Sequence, residues 1–361
     1  MKVLIVTNTL WKEAPRIRHQ LAILLKNNGY NIFFFERPSF YNYFKKKRNL
    51  KKNGITLLNN YRLFHHRFSI GLLNKIDCYL MNLRLKKFIK LNNCSQKDSI
   101  IVNFIYDFTI NPLLKIKIIT FINDDFEALS SIFGISYKRK TIINNIQSSG
   151  NLVAVSPQLL DKYKDIDCKK FLLIPWVTKK ELEHINQSKV NKINKNKNKI
   201  IFLGFVNKRI DFELLKNILF SYPGLHFDFY GEVSWSVKKT VYKLEKLYNN
   251  ISFYGSVNFS EINLNDYFCS IIPYSSKYVP NIAYVPNKLF KLAAAGLATI
   301  SSVPFLLEND SVIKCHNHDE FLSAIAIVKK NYQKISMQAI ELSKGINEEN
   351  AIIQWNKILN G

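Results

Sequence analysis

The cations best able to do chemistry lie in one stretch, Pro286-Asn287-Lys288-Leu289-Phe290-Lys291. Pro286 fixes a backbone angle at a helix start, Leu289, Leu292 and Ala293 recur at helical spacing, and Gly296 stands where a left-handed C-cap belongs. Lys288 therefore projects from a first helical turn. Unpaired N–H groups and about half a positive charge gather there, so a lysine at that point suits a phosphate or diphosphate. The plainer reading is a surface lysine on a core helix. Lys208 and Arg209 follow a strand and are further cations for the same anion, or simply face solvent. Two adjacent acids, Asp124 and Asp125, end an apolar run. Either could take a proton from an attacking hydroxyl, or cap a helix begun by Phe126. Asp107 is a further acid of this kind, and Arg16, Arg18 and His19 gather at the start of the first expected helix. The cysteines form no Cys-x-x-Cys pair and the short His pairs have no second half, so no metal site is predicted.

These residues need an α/β frame. Residues 2–7 read as a strand, a helix carries Ile17, Leu21, Leu24 and Leu25, and Tyr30 to Phe35 is the next strand, a βαβ unit of a parallel sheet. Arg16 and His19 then sit on the sheet edge where open α/β folds bind ligands. The loop between lacks Gly-x-Gly-x-x-Gly, and no dinucleotide cofactor is expected. Leu72, Ile76, Tyr79, Leu80 and Leu83 share one helical face, which is expected to pack on the sheet, with membrane docking as the alternative. Strand, glycine and helix recur after residue 199: Gly204 ends one strand and permits close backbone approach, and Gly231-Glu232 ends another. A chain of 361 residues suits two domains. Boundaries are expected at 1–180, 200–345 and 346–361, with an Asn/Lys-rich linker at 181–199.

Net charge is +25. Residues 39–90 supply much of it, with thirteen Lys or Arg against the single acid Asp77. Aromatics such as Tyr41, Phe44, Phe64 and Tyr79 are interleaved, a mixture that fits lipid headgroups or single-stranded nucleic acid. No nucleic-acid motif accompanies it, so the expected partner is an anionic membrane surface and not a nucleic acid. Five scattered cysteines and a short apolar N-terminal run suggest a cytoplasmic protein lying peripherally on that surface.

Pro286-Asn287-Lys288-Leu289-Phe290, with Ala294-Ala295-Gly296 and a short apolar strand behind it, resembles the donor segment of GT-B glycosyltransferases, in particular those building bacterial capsule, lipopolysaccharide or teichuronic-acid chains. Asp124-Asp125-Phe126, Val155-Ser156 and Ile174-Pro175 match the same family's first domain. The resemblance implies two facing Rossmann-like domains with a C-terminal helix crossing back to the first. It implies a nucleotide-diphospho-sugar held by Gly204, Arg209, Glu232, Pro286, Asn287 and Lys288. The acceptor, a saccharide or lipid-linked saccharide, would meet Arg16 and His19, and Asp124 or Asp125 would be the catalytic base. The nucleotide-sugar is a co-substrate; no cofactor is implied. The family usually carries an acid where this chain has Lys291, and two glutamates of retaining members are replaced by Ala283 and Lys291, which leans toward inversion. A non-catalytic binding subunit and a nucleotide-sugar epimerase are the other readings.

Overall fold

The computed structural model describes residues 1–13, 15–39, 50–60, 62–63, 72–110, 115–127, 139–190, 197–275, 277, 286–303 and 309–361. The cluster Lys45 to Arg48, the aromatics Tyr41, Phe44 and Phe64, and residue Ala283 lie outside them, as does the side chain of Asn287. The chain divides into two α/β units, Met1–Ile174 with Ile352–Gly361, and Pro175–Ala351.

The first unit is built on an eight-stranded sheet in the order β3-β4-β2-β1-β5-β6-β7-β8. These are β1 (Lys2–Thr7), β2 (Asn31–Phe35), β3 (Leu50–Lys52), β4 (Ile55–Leu58), β5 (Ser99–Phe104), β6 (Lys117–Ile122), β7 (Asn151–Ala154) and β8 (Lys169–Leu172). All pair in parallel except β3 with β4, a hairpin turning on Asn53 (φ 53°) and Gly54 (φ 74°). Two successive positive φ angles are what Asn-Gly supplies in a two-residue hairpin. β1 is apolar and almost wholly buried because both its faces are covered, as in parallel sheets generally. Its helices include α1 (Ile17–Asn27), α2 (Leu72–Leu91), α3 (Arg139–Ser149) and α4 (Pro157–Lys162).

The face of α2 that the sequence assigns to the sheet is instead turned away. Asp77, Met81 and Leu85 are buried, with Cys78, Phe88 and Ile89 against the core, while Leu72, Ile76, Tyr79 and Leu83 are exposed. The helix has apolar residues on two opposite faces, and the one bearing Met81, Leu85, Phe88 and Ile89 took the sheet.

The second unit has α5 (Lys179–Val190), β9 (Lys199–Leu203), α6 (Phe212–Ser221), β10 (His226–Tyr230), α7 (Lys238–Leu247), β11 (Ile251–Gly255), β12 (Tyr267–Ile272), α8 (Asn287–Ala294), β13 (Ala298–Ser301), β14 (Val312–Lys314), α9 (His318–Lys330) and α10 (Tyr332–Ser343). Its six parallel strands run β11-β10-β9-β12-β13-β14. Residues 181–190, expected within a linker, are helical. Thr178 and Glu181 form a reciprocal capping box, Thr178 N–H to Glu181 Oε2 at 2.9 Å and Glu181 N–H to Thr178 Oγ1 at 3.3 Å, and Ile185 is 1% exposed. Of the polar stretch that suggested a linker, residues up to Val190 belong to that helix, and 191–196 lie outside the described residues.

The last helix, α11 (Glu348–Asn360), begins in the second unit, and from Ile352 onward belongs to the first. Lys117 Nζ donates to Leu359 O at 2.8 Å, Tyr30 donates to Asn356 at 3.3 Å, and Trp355 is fully buried. A lysine on C-terminal carbonyls also complements the helix dipole.

Candidate functional site

In the second sheet the chain leaves β9 in one direction to β10 and in the other to β12, so the topological switch point lies at the C-terminal end of β9. Gly204 stands there with φ +141°, and Gly231, ending β10, has φ +151°. The two strand ends touch: a Cβ on Gly231 would lie 1.9 Å from the Gly204 carbonyl oxygen. Only glycine allows that approach, which leaves the end of β9 as bare backbone.

The loop after β9 is shaped by Asn207, 2% exposed, whose Oδ1 accepts from the Arg209 N–H at 2.9 Å and from Arg209 Nε at 3.4 Å. Ile210 bridges Tyr274, and Ser275 N–H donates to Arg209 O at 2.8 Å. These contacts hold the Arg209 guanidinium 5.1 Å above the Tyr274 ring. Asp211 then caps α6, accepting from the N–H groups of Glu213 and Leu214.

Lys288 enters this place from α8, whose N-cap is Pro286 (φ −74°, ψ 142°). Its Nζ lies 4.3 Å from the Phe202 ring centroid and 5.4 Å from that of Tyr274, and a Cβ on Gly204 would be 3.1 Å from it. The side chain is part-exposed along its stem, yet Nζ is buried and has no hydrogen-bond partner among the described residues. Burial lowers its pKa below the ordinary lysine value, against the pull of Tyr274 and with help from the Arg209 charge. An ammonium in this state is costly unless an anion joins it. Glu232 is exposed at the same strand edge, its carbonyl accepting from Val206 N–H at 2.9 Å. Gly204, Arg209, Glu232, Pro286 and Lys288 thus share one edge. Phe202, Asn207 and Tyr274 complete it and were not foreseen.

Lys291 has a different role. It pairs with Glu181 of α5, both side chains being largely buried, and sits 5.7 Å over Phe259. This cation therefore ties two helices of this unit together.

In the first unit the switch point is at the end of β1, between β2 and β5. His19 is 3% exposed between Trp11 and Phe34. Nδ1 accepts from Arg16 N–H at 3.1 Å, which leaves Nε2 to donate to Leu10 O at 3.2 Å. Burial is the main cause of its pKa falling to about 4. Both ring nitrogens are thus used inside the fold, whereas Arg16 is exposed and 3.4 Å from Glu13. A histidine with a depressed folded-state pKa binds its proton more readily when unfolded, so its stabilisation is lost as pH falls from about 6.5 to about 4, by about 3 kcal/mol. Urea unfolding across that window should show His19→Gln losing this part of the pH dependence.

Asp125 is 3% exposed and accepts from Lys162 Nζ at 2.6 Å. Lys162 also lies 3.5 Å from Glu127, which accepts from the Tyr163 hydroxyl at 3.0 Å. That buried network fixes the loop after β6. Asp124 is half-buried, and its Oδ1 accepts from the Asp125 N–H at 2.9 Å. Asp107 accepts from Asn8 at 2.9 Å and from Arg62 at 3.3 Å, and Arg62 in turn reaches buried Asp77 at 3.2 Å. Arg18 is buried and links the ends of β1 and β6 through Thr7 and Asn123. No group of three His, Cys, Asp or Glu among the described residues could hold a metal ion.

No protein-family model matches the chain, and no curated protein matches it. Solved structures do. A sucrose-phosphate synthase from Thermosynechococcus elongatus superposes with TM-score 0.72 at 10% identity, over 99% of this chain and 98% of that one. HepE from Anabaena, in complex with UDP, gives 0.71 at 10% identity over all of both chains. The catalytic domain of starch synthase IV from Arabidopsis thaliana, bound to ADP and acarbose, gives 0.63 at 10% identity over 99% and 98%. The fold is the two-domain GT-B fold of glycosyltransferases.

Proposed function

We propose that this chain transfers a sugar from a nucleotide-diphospho-sugar to a saccharide or lipid-linked acceptor in bacterial cell-surface polysaccharide synthesis, at the anionic inner face of the plasma membrane. The observation that carries the reading is Lys288 Nζ, buried beside Gly204 at the switch point with no hydrogen-bond partner among the described residues. A diphosphate there would complete its hydrogen bonding. UDP and ADP in the complexes named above support a nucleoside diphosphate as the group bound.

In this reading Lys288 and Arg209 bind the diphosphate and offset charge developing on it as it leaves. Gly204 lets it approach the backbone, Pro286 and Asn287 present the helix N-terminus, and Glu232 accepts hydrogen bonds from donor hydroxyls. Asp124 is the base for the acceptor hydroxyl. Asp125, paired with Lys162, holds the loop in place. Arg16 contacts the acceptor, and His19 positions Arg16 through its backbone N–H.

A thermal-shift panel of UDP, GDP, CMP and their sugars tests the donor site, since a ligand of the native state raises the melting temperature. One nucleotide family should shift it. No shift with any would sink the reading. Asp124→Asn should keep that shift and lower transfer to a membrane extract by at least about 100-fold. A wild-type protein that binds donor and never turns it over would instead be a non-catalytic subunit, and sugar interconversion without acceptor would mark an epimerase.

A further inference from the structure

The outward face of α2 is an ordered apolar feature that the described residues leave uncovered. Leu72, Ile76, Tyr79 and Leu83 are 70, 37, 64 and 42% exposed. At 100° per residue they fall within a wedge of about 60°. The same side of the helix continues as Lys86, Lys87 and Lys90, with Lys75 at its flank. None of these lysines has an ion-pair partner among the described residues. The opposite face is fully used, with Asp77, Met81 and Leu85 buried against the first unit's core.

We infer that this face of α2 docks the protein on an anionic lipid bilayer, the helix lying in the plane of the headgroups. The inference rests on the membrane location proposed above and names the surface responsible for it. An apolar half followed by a cationic half on one stripe suits a boundary where acyl chains meet phosphates: Leu72, Ile76, Tyr79 and Leu83 enter below the headgroups while the lysines stay level with them. Charge decides against a second copy of this chain as the occupant. The outward side of α2 carries Lys75, Lys86, Lys87 and Lys90, so two such faces repel. An anionic membrane supplies the opposite sign over a flat area as long as the helix, about 30 Å.

The test uses the full chain with vesicles of phosphatidylcholine containing phosphatidylglycerol at about 30 mol%, and vesicles of phosphatidylcholine alone. Cosedimentation should occur with the first and be at least about 10-fold weaker with the second. The variant Tyr79→Trp should show a blue-shifted emission on the anionic vesicles and quenching by brominated acyl chains. The triple variant Ile76→Ser, Tyr79→Ser, Leu83→Ser should lose at least about 10-fold in binding, with unfolding by heat unchanged because these side chains are exposed. Lys86→Gln, Lys87→Gln, Lys90→Gln should lose about 100-fold and lower the salt dependence. Binding that survives the serine variant, with no emission shift in the Tyr79→Trp protein, overturns the role of α2 and leaves the membrane location standing. Wild type that ignores the anionic vesicles overturns both.

Discussion

Lys288→Met should bind the nucleotide diphosphate about 10–150-fold more weakly, the scale of a charge-assisted hydrogen bond, while the free protein melts no lower than wild type. The pairing of those results is what distinguishes a ligand-binding lysine from a structural one. Nζ is buried with no hydrogen-bond partner among the described residues, so its charge is a cost to the free protein, and an apolar side chain of similar length removes that cost. Calorimetry measures the affinity and a melting curve the stability. Turnover should fall further, by about 100-fold or more, because a cation facing a leaving diphosphate acts mainly in the transition state. The wild-type protein should also show proton linkage. Burial lowers the pKa of Lys288 in the free protein and an anion raises it, so binding takes up a proton and weakens as pH rises through the free protein's value. Unchanged affinity in Lys288→Met, or a large drop in its melting temperature, would remove the lysine from the donor site.

Gly231→Ala should cost the second unit about 3 kcal/mol or more. The added methyl would sit 1.9 Å from a carbonyl oxygen of the backbone at Gly204, where no rotamer change relieves it. A φ of +151° adds strain that any side chain feels. β10 and β9 must then separate at their ends, which moves the atoms facing Lys288. Chemical denaturation should show the loss, and nucleotide binding should weaken in step. Gly224→Ala is the control: its added methyl meets nothing within 4 Å and its φ is not in the positive range. Equal stability of the two variants would refute the packing argument.

The parts of the site that depend on local chemistry are readable from the residues. A proline, a lysine two places on and a helical apolar pattern locate Lys288, and a glycine after an apolar strand locates Gly204. Long-range pairings are not readable this way. Lys291 and Glu181 are 110 residues apart, and Asp125 and Lys162 are 37 apart, so neither clamp shows in any local pattern. Phe202 and Tyr274 look like core aromatics because each belongs to, or follows, an apolar strand; their second job as walls around an ammonium depends on where α8 lies. Periodicity also failed at α2, since a helix with two apolar faces does not say which one faces the sheet. The hairpin at Asn53-Gly54 was available as a turn signal but sat inside a segment dominated by its charge.

The contact between Gly204 and Gly231 also restricts how the chain can drift. Every amino acid one base change from a glycine codon carries a Cβ, so no single step at 231 leaves both strand ends in place. Compensation from the other side is closed as well, because Gly204 has no atom left to remove. Its own position has some slack, since a methyl there would meet the movable head of Lys288 at 3.1 Å and not backbone, although φ +141° still favours glycine. A saturation scan should therefore find position 231 almost empty and position 204 sparsely filled, an inequality set by which of the two partners supplies the carbonyl.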